Sequence, residues 1–208
     1  TTTTSTTTAV KLSNVATKPS YTPNNKWYLT LVNYQYGLPA NFTVKTNYIA
    51  SGVLVDERIV NDYNKMHTAA LKDGVKLNPC SGYRSIALQT KLFTRRVNQY
   101  MSYGYSKKDA EKIVATYTAR PGTSEHNLGL AIDFYDSSTD LTSSFASTTQ
   151  GKWLKENAHK YGFILRYPSN KTAITGIIYE PWHYRYVGIE DAIKIHNSGL
   201  CFEEYLGL

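Results

Sequence analysis

Two short stretches concentrate the residues capable of chemistry. In "SEHNLGLAID", residues 124–133, His126 stands seven residues ahead of Asp133; in "EPWH", residues 180–183, Glu180 stands three residues ahead of His183. Two imidazoles and a carboxylate suit a catalytic zinc ion, which takes three protein ligands and leaves a fourth position to water. His126, Asp133 and His183 would supply that count, and Glu180 would be the further acid needed as general base. Positions three apart on an ideal strand point to opposite faces, so Glu180 and His183 share a cleft only if Pro181 breaks the strand. His67, His159 and His196 fall on expected helices with no partner at ligand spacing and read as packing or surface residues. Both patterns are common enough by chance that spacing alone leaves a metal site and ordinary polar packing open. "SGYRS", residues 81–85, ends an expected strand and aims the fixed charge of Arg84 at a loop. There it can bind a carboxylate or polarise a carbonyl, or simply pair with a surface acid.

The elements that must carry these residues follow from periodicity. Leu128, Leu130, Ile132 and Phe134 alternate with Gly129, Ala131, Asp133 and Tyr135, the pattern of a strand with one face in the core. Asp133 therefore projects from the opposite face, beside small residues. Upstream, "WYLTLVNY" is a strand candidate, and "VDERIVNDYNKMHTAALKDG" is a helix with Val60, Tyr63, Met66 and Ala70 along one face and Gly74 at its stop. "VKLNPCSGYRS" is a short strand broken by Pro79. A helix from about Ser85 follows, with Leu88, Leu92 and Val97, and then a second, capped by Ser106 with Asp109 and striped by Ala110, Ile113, Val114 and Tyr117. "GKWLKENAHKYG" is a helix ending at Gly162. "FILRYP", "GIIYEPWHYRYVG" and a helix near Ile189 to His196 complete the order. Helices and strands mix without regular βαβ units, which predicts an α+β fold with a largely antiparallel sheet and helices packed around it.

The chain has 208 residues, enough for one domain with a tail. "TTTTSTTTA" and the small, polar, proline-bearing residues after it read as a linker or stalk over residues 1–25, with one domain over 26–208. No apolar run reaches the length of a membrane span, and the start does not resemble a signal peptide. The net charge of +7 favours an anionic environment, but the lysines are scattered, which disfavours nucleic acid. The 18 tyrosines suit a wet aromatic surface. Cys80 and Cys201 lie far apart without a CxxC pair, which disfavours a thiolate metal site and leaves free thiols or one bridge.

"SGYRS", "SEHNLGLAID" and "EPWHYRYVG", in that order, closely resemble the three motifs of VanY-type D-alanyl-D-alanine carboxypeptidases. These are zinc metallopeptidases of the superfamily that includes lysostaphin-like endopeptidases and the Hedgehog signalling domain. The resemblance covers about residues 27–208. It implies a Hedgehog/DD-peptidase-like zinc fold, one zinc ion held by His126, Asp133 and His183, Glu180 as catalytic base, and Arg84 as substrate holder and oxyanion stabiliser. It further implies that Gln89 and Ser124 help grip the substrate's terminal carboxylate. Beside it, a disulfide between Cys80 and Cys201 is expected. The implied activity is removal of the terminal D-alanine from peptidoglycan stem peptides, outside the membrane of a bacterium, at the anionic cell wall or on a membrane-anchored ectodomain. An L,D-carboxypeptidase, a wall endopeptidase and a non-catalytic wall-binding zinc module share the same motifs and remain alternatives.

Overall fold

The computed structural model describes residues 16–39, 41–138 and 141–208, so the threonine tract lies outside the described residues. The strands are β1 (Lys18–Pro19), β2 (Tyr36–Gly37), β3 (Thr46–Tyr48), β4 (Leu54–Asp56), β5 (Pro79–Ser81), β6 (Ala131–Phe134), β7 (Phe163–Leu165) and β8 (His183–Tyr186). The α-helices are α1 (Val60–Lys72), α2 (Ile86–Ser102), α3 (Lys107–Ala115), α4 (Thr149–Asn157), α5 (Thr172–Thr175), α6 (Ile189–Ser198) and α7 (Phe202–Tyr205).

At the centre is an antiparallel sheet in the order β5-β6-β8-β7, in keeping with the expected α+β class. Register pairs Ile132 with Tyr184, Leu165 with Tyr184, and Phe163 with Tyr186, so these side chains share one face. That face joins Tyr63, Met66 and Ala70 of α1 and Leu154 of α4 in the main core. The other face carries Ala131, Asp133, His183 and Arg185. Ile164 of β7 joins Leu29, Leu31, Ala192, Ile195 and Phe202 in a second core beneath α6 and α7. The helix caps fall where small polar residues predict them: the Ser85 hydroxyl accepts from Leu88 N and the Ser106 hydroxyl from Asp109 N, both at 3.1 Å.

Several expectations are corrected. "WYLTLVNY" is not a strand: Trp27–Leu29 is a 3-10 turn, and the carbonyls of Tyr28 and Thr30 accept from the Arg185 guanidinium at 3.1 and 2.7 Å. A buried side chain thus takes the place of a neighbouring strand. Leu88 lies on the exposed side of α2, whose buried face is Gln89, Phe93 and Val97. Lys18 N donates to Gln35 O and Ser20 N to Gly37 O, so residues 18–20 run alongside residues 35–37. The cysteines are not bridged. Cys80 Sγ donates to Asp133 O at 3.4 Å on the central sheet, while Cys201 is buried at the start of α7, where its side chain takes part in a capping box with Glu204.

β4 places two loops. Gly82 packs so tightly that a Cβ there would stand 2.2 Å from Leu54 O, and Tyr83 N donates to that same oxygen at 2.6 Å. Gly129 adopts φ +72°, its carbonyl accepts from Asp56 N at 2.9 Å, and a Cβ would meet that nitrogen at 2.8 Å. Gly129→Ala should therefore lose more than about 1 kcal/mol of stability in urea denaturation, through both the positive φ and the backbone clash.

Candidate active site

Asp133 and His183 are direct partners in the β6–β8 ladder, and His126 comes from a 3-10 turn, Glu125–Leu128, that Gly129 closes. The strand alternation read from the sequence holds, since Asp133 points away from the core that takes Ile132 and Phe134. One ligand atom from each of His126, Asp133 and His183 lies within 4.8 Å of the other two, and all three residues are buried. His126 Nε2 stands 3.1 Å from Asp133 Oδ2, and His183 Nδ1 stands 2.9 Å from Asp133 Oδ1. His126 Nδ1 is 2.7 Å from Gly82 O, where only a proton on that nitrogen makes a bond. Its Nε2 then carries a lone pair, buried and without a hydrogen-bond partner among the described residues. A buried electron pair beside a carboxylate and a second imidazole fits a divalent cation, and the two-imidazole, one-carboxylate donor set suits zinc.

Glu180 enters by the break expected at Pro181. His183 N donates to Glu180 O at 3.1 Å across a turn, and β8 begins only at His183. Glu180 Oε2 thereby comes to 4.0 Å from His183 Nδ1. Burial pushes the Glu180 carboxyl up to about 8; His183 pulls it down and Asp133 raises it again. Burial, helped by Arg84, pushes His126 down to about 4. Burial also opposes charge on His183, but the carboxylates of Asp133 and Glu125 beside it overcome this and lift the imidazole to about 9. Burial alone would raise Asp133, yet both histidines hold it well below the usual carboxylate range.

These groups line one cleft of about 360 Å³, walled by α2 on one side and by Ile177, Ile178 and Trp182 on another. Arg84 reaches it from the loop after β5, with Nη2 3.3 Å from Asp133 Oδ2. Arg84 Nε is buried with no partner among the described residues. Gln89 lies in the cleft wall with both ends of its amide engaged: Oε1 accepts from Arg84 Nη1 at 2.9 Å, and Nε2 donates to Ala119 O at 2.7 Å. As placed, it aligns Arg84. Ser124 lines the cleft directly. His67 stacks on Tyr63, and His159 stacks on His196 with ring centres 3.6 Å apart, all away from the cleft.

Sequence reasoning missed four residues here. Tyr167 packs its ring 4.9 Å from that of His183, and Arg96 lines the cleft from α2, on the same helical face as Gln89 and Leu92. Glu125 and Arg185 lie behind His183. The arginines in "FILRYP" and "HYRY" were the available signal, because a charge inside a short apolar run requires a buried partner.

The family profile for VanY, described as D-alanyl-D-alanine carboxypeptidase, matches residues 52–189, which include all three motifs. The chain belongs to the VanY family. A D-alanyl-D-alanine carboxypeptidase of Enterococcus faecalis (strain ATCC 700802 / V583) is 42% identical over 192 residues, which are 92% of this chain and 70% of that protein. The crystal structure of a mutant of the vancomycin resistance D,D-pentapeptidase VanY, in complex with Zn(II), is 43% identical with a TM-score of 0.77, covering 86% of this chain and 99% of that one. The structure of the LdcB LD-carboxypeptidase is 37% identical with a TM-score of 0.74, covering 88% of each chain. The antiparallel sheet that carries Asp133 and His183 is thus part of an architecture shared with both VanY and LdcB.

Metal titration tests the VanY-type centre directly. Chelator-treated protein should take up one zinc ion per chain and gain thermal stability as it does so, since a ligand of the folded state stabilises it by mass action. His126→Ala and His183→Ala should each abolish tight uptake; unchanged stoichiometry in either would remove that residue from the ligand set.

Proposed function

We propose that the chain is a zinc-dependent D-alanyl-D-alanine carboxypeptidase that removes the terminal D-alanine from peptidoglycan stem peptides. The observation that carries this reading is the convergence of the three ligand residues, a carboxyl with raised proton affinity and a buried arginine on one cleft. In it, His126, Asp133 and His183 hold the metal. Zinc, when bound, supplies a Lewis acid and lowers the pKa of water from about 15.7 toward about 7.

The protein's own groups do the rest. Glu180 takes a proton from the attacking water and later returns it to the leaving D-alanine amine, which suits a carboxyl pushed up to about 8. Arg84 offers Nε, which makes no hydrogen bond among the described residues, to the oxygen on which negative charge develops. Gln89 serves this step through Arg84, held by its amide oxygen, and Ser124 presents its hydroxyl to the substrate's terminal carboxylate from the cleft wall. Tyr167, packed on His183, keeps bulk water from that side of the ring.

The likeness to LdcB supports a second reading, an L,D-carboxypeptidase acting on tetrapeptide stems, because the hydrolytic groups are indifferent to the chirality of the neighbouring residue. The same substrate class places the enzyme outside the cytoplasmic membrane. The net charge of +7 favours the anionic wall, and no helix among the described residues is long and apolar enough to cross a membrane.

Mass spectrometry of defined tri-, tetra- and pentapeptide stems separates the readings: loss of one D-alanine from the pentapeptide alone is expected, and cleavage of the tetapeptide in its place would establish the second. Glu180→Ala should keep zinc while losing hydrolysis, and near-normal turnover would remove it as the base. Arg84→Ala should cost at least ~3 kcal/mol of transition-state stabilisation in kcat/KM, the scale of a lost oxyanion donor.

A further inference from the structure

Behind His183, on the side away from the cleft, lies a closed set of four buried ionic groups that the proposed reaction does not use: Glu125, Arg166, Arg185 and Glu203. Glu125 Oε1 accepts from Arg166 Nε at 2.6 Å and lies 2.9 Å from Arg185 Nη1 as an ion pair. Arg166 Nη1 and Nη2 grip both oxygens of Glu203, on α7, at 2.8 and 2.7 Å, and Asn33 Nδ2 donates to Glu203 Oε1 at 3.1 Å. Arg185 Nε donates to the carbonyl of Tyr186, and Nη2 to those of Tyr28 and Thr30. Two positive and two negative charges cancel, so the set can be buried without a net charge.

Two atoms of this set make no hydrogen bond among the described residues, Arg185 Nη1, which is ion-paired with Glu125 Oε1, and Glu125 Oε2. Glu125 Oε2 is buried with no hydrogen-bond partner among the described residues, and it stands 3.5 Å from His183 Nε2, which is likewise buried and without a bond. The opposite ring nitrogen, Nδ1, is the one beside Asp133. His126 shows the same division, with one nitrogen beside Asp133 and the other against Gly82 O. We propose that Glu125, its Oε1 anchored by Arg166 and Arg185, is the positioning residue that fixes His183 as a metal ligand through Nδ1. The inference rests on the metal site proposed above, not on which peptide bond is cut.

The physical reason is the tautomer. A neutral imidazole carries one proton, and an acceptor facing Nε2 draws it there and leaves the Nδ1 lone pair for the ion. With Oε1 pinned by two guanidinium groups, the carboxylate cannot rotate away, and Oε2 stays aimed at the ring. Arg166 and Glu203 act one step further out by holding that plane.

Glu125→Gln tests it with little change in volume. The amide oxygen will remain with the arginines, so the amide N–H faces His183 Nε2 and favours the proton on Nδ1, where it competes with the metal. Zinc affinity, read by competition with a chromogenic chelator, should fall about 10–100-fold, the range for loss of such an outer partner. Glu203→Gln removes the same buried charge without touching His183, and should leave zinc affinity within about 3-fold of wild type, well short of that range. Circular dichroism verifies that both are folded. Wild-type affinity in Glu125→Gln, or an equal loss in Glu203→Gln, would overturn the proposal. Should Glu125→Gln fail to fold, nitrogen-15 NMR of zinc-loaded wild type decides the matter: a proton on His183 Nε2 is expected, and metal bound at Nε2 overturns it. Neither readout requires hydrolysis, so a wrong substrate would leave them intact.

Discussion

Asp133 faces His183 across the β6–β8 ladder, and the register of that pair is enforced from the other side of the sheet. Ile132 and Tyr184, the adjacent pair, point into the main core with Phe134 and Tyr186. A slip of one residue would turn Asp133 and His183 into the core and expose the apolar set. Burial of each large apolar side chain is worth about 1.5–3 kcal/mol, so several together outweigh any single polar contact in the site. The polar geometry therefore follows from hydrophobic patterning on the opposite face, and needs no favourable energy of its own to persist without a metal.

His126 is outside this ladder and depends on backbone contacts made by β4. Leu54 O holds Tyr83 N, Asp56 N holds Gly129 O, and the two loops so anchored hold each other: Arg84 N donates to His126 O at 2.9 Å and Asn127 Nδ2 to Arg84 O at 2.6 Å. Gly82 and Gly129 allow the close approach, since any side chain at either would collide with β4. The loop bearing Arg84 and the turn bearing His126 are in this sense one unit, clamped at two points two residues apart on a single short strand.

Alternation was sufficient to orient Asp133, and capping residues were sufficient to start α2 and α3, because both signals are local. Pro181 was legible as a break for the same reason. The pairing of His126 with His183 was not, since no spacing rule joins residues that meet through a turn and a strand from distant parts of the chain; the family resemblance supplied it. The buried quartet was invisible for a related cause. Arg166 stands out in "FILRYP", yet its partners are Glu125 and Glu203, 41 and 37 residues away, and either of them could as well have been a surface acid. The failure at "WYLTLVNY" has the same origin: its carbonyls are satisfied by Arg185, a side chain more than 150 residues downstream.

His183 thus separates two charge environments of different kinds. On its inner side the quartet is neutral, with one carboxylate oxygen aimed at the ring, so it sets orientation without imposing a net field on the cleft. On its outer side the charge of Asp133 is opposed by that of Arg84 at 3.3 Å. These fixed groups nearly cancel. A divalent ion would leave the cleft positive, and Arg96 on α2 adds to that sign. A peptide ending in a carboxylate, which gains further negative charge in the proposed hydrolysis, is matched in sign by such a site at both stages, and the match is stronger at the second, which is what acceleration requires.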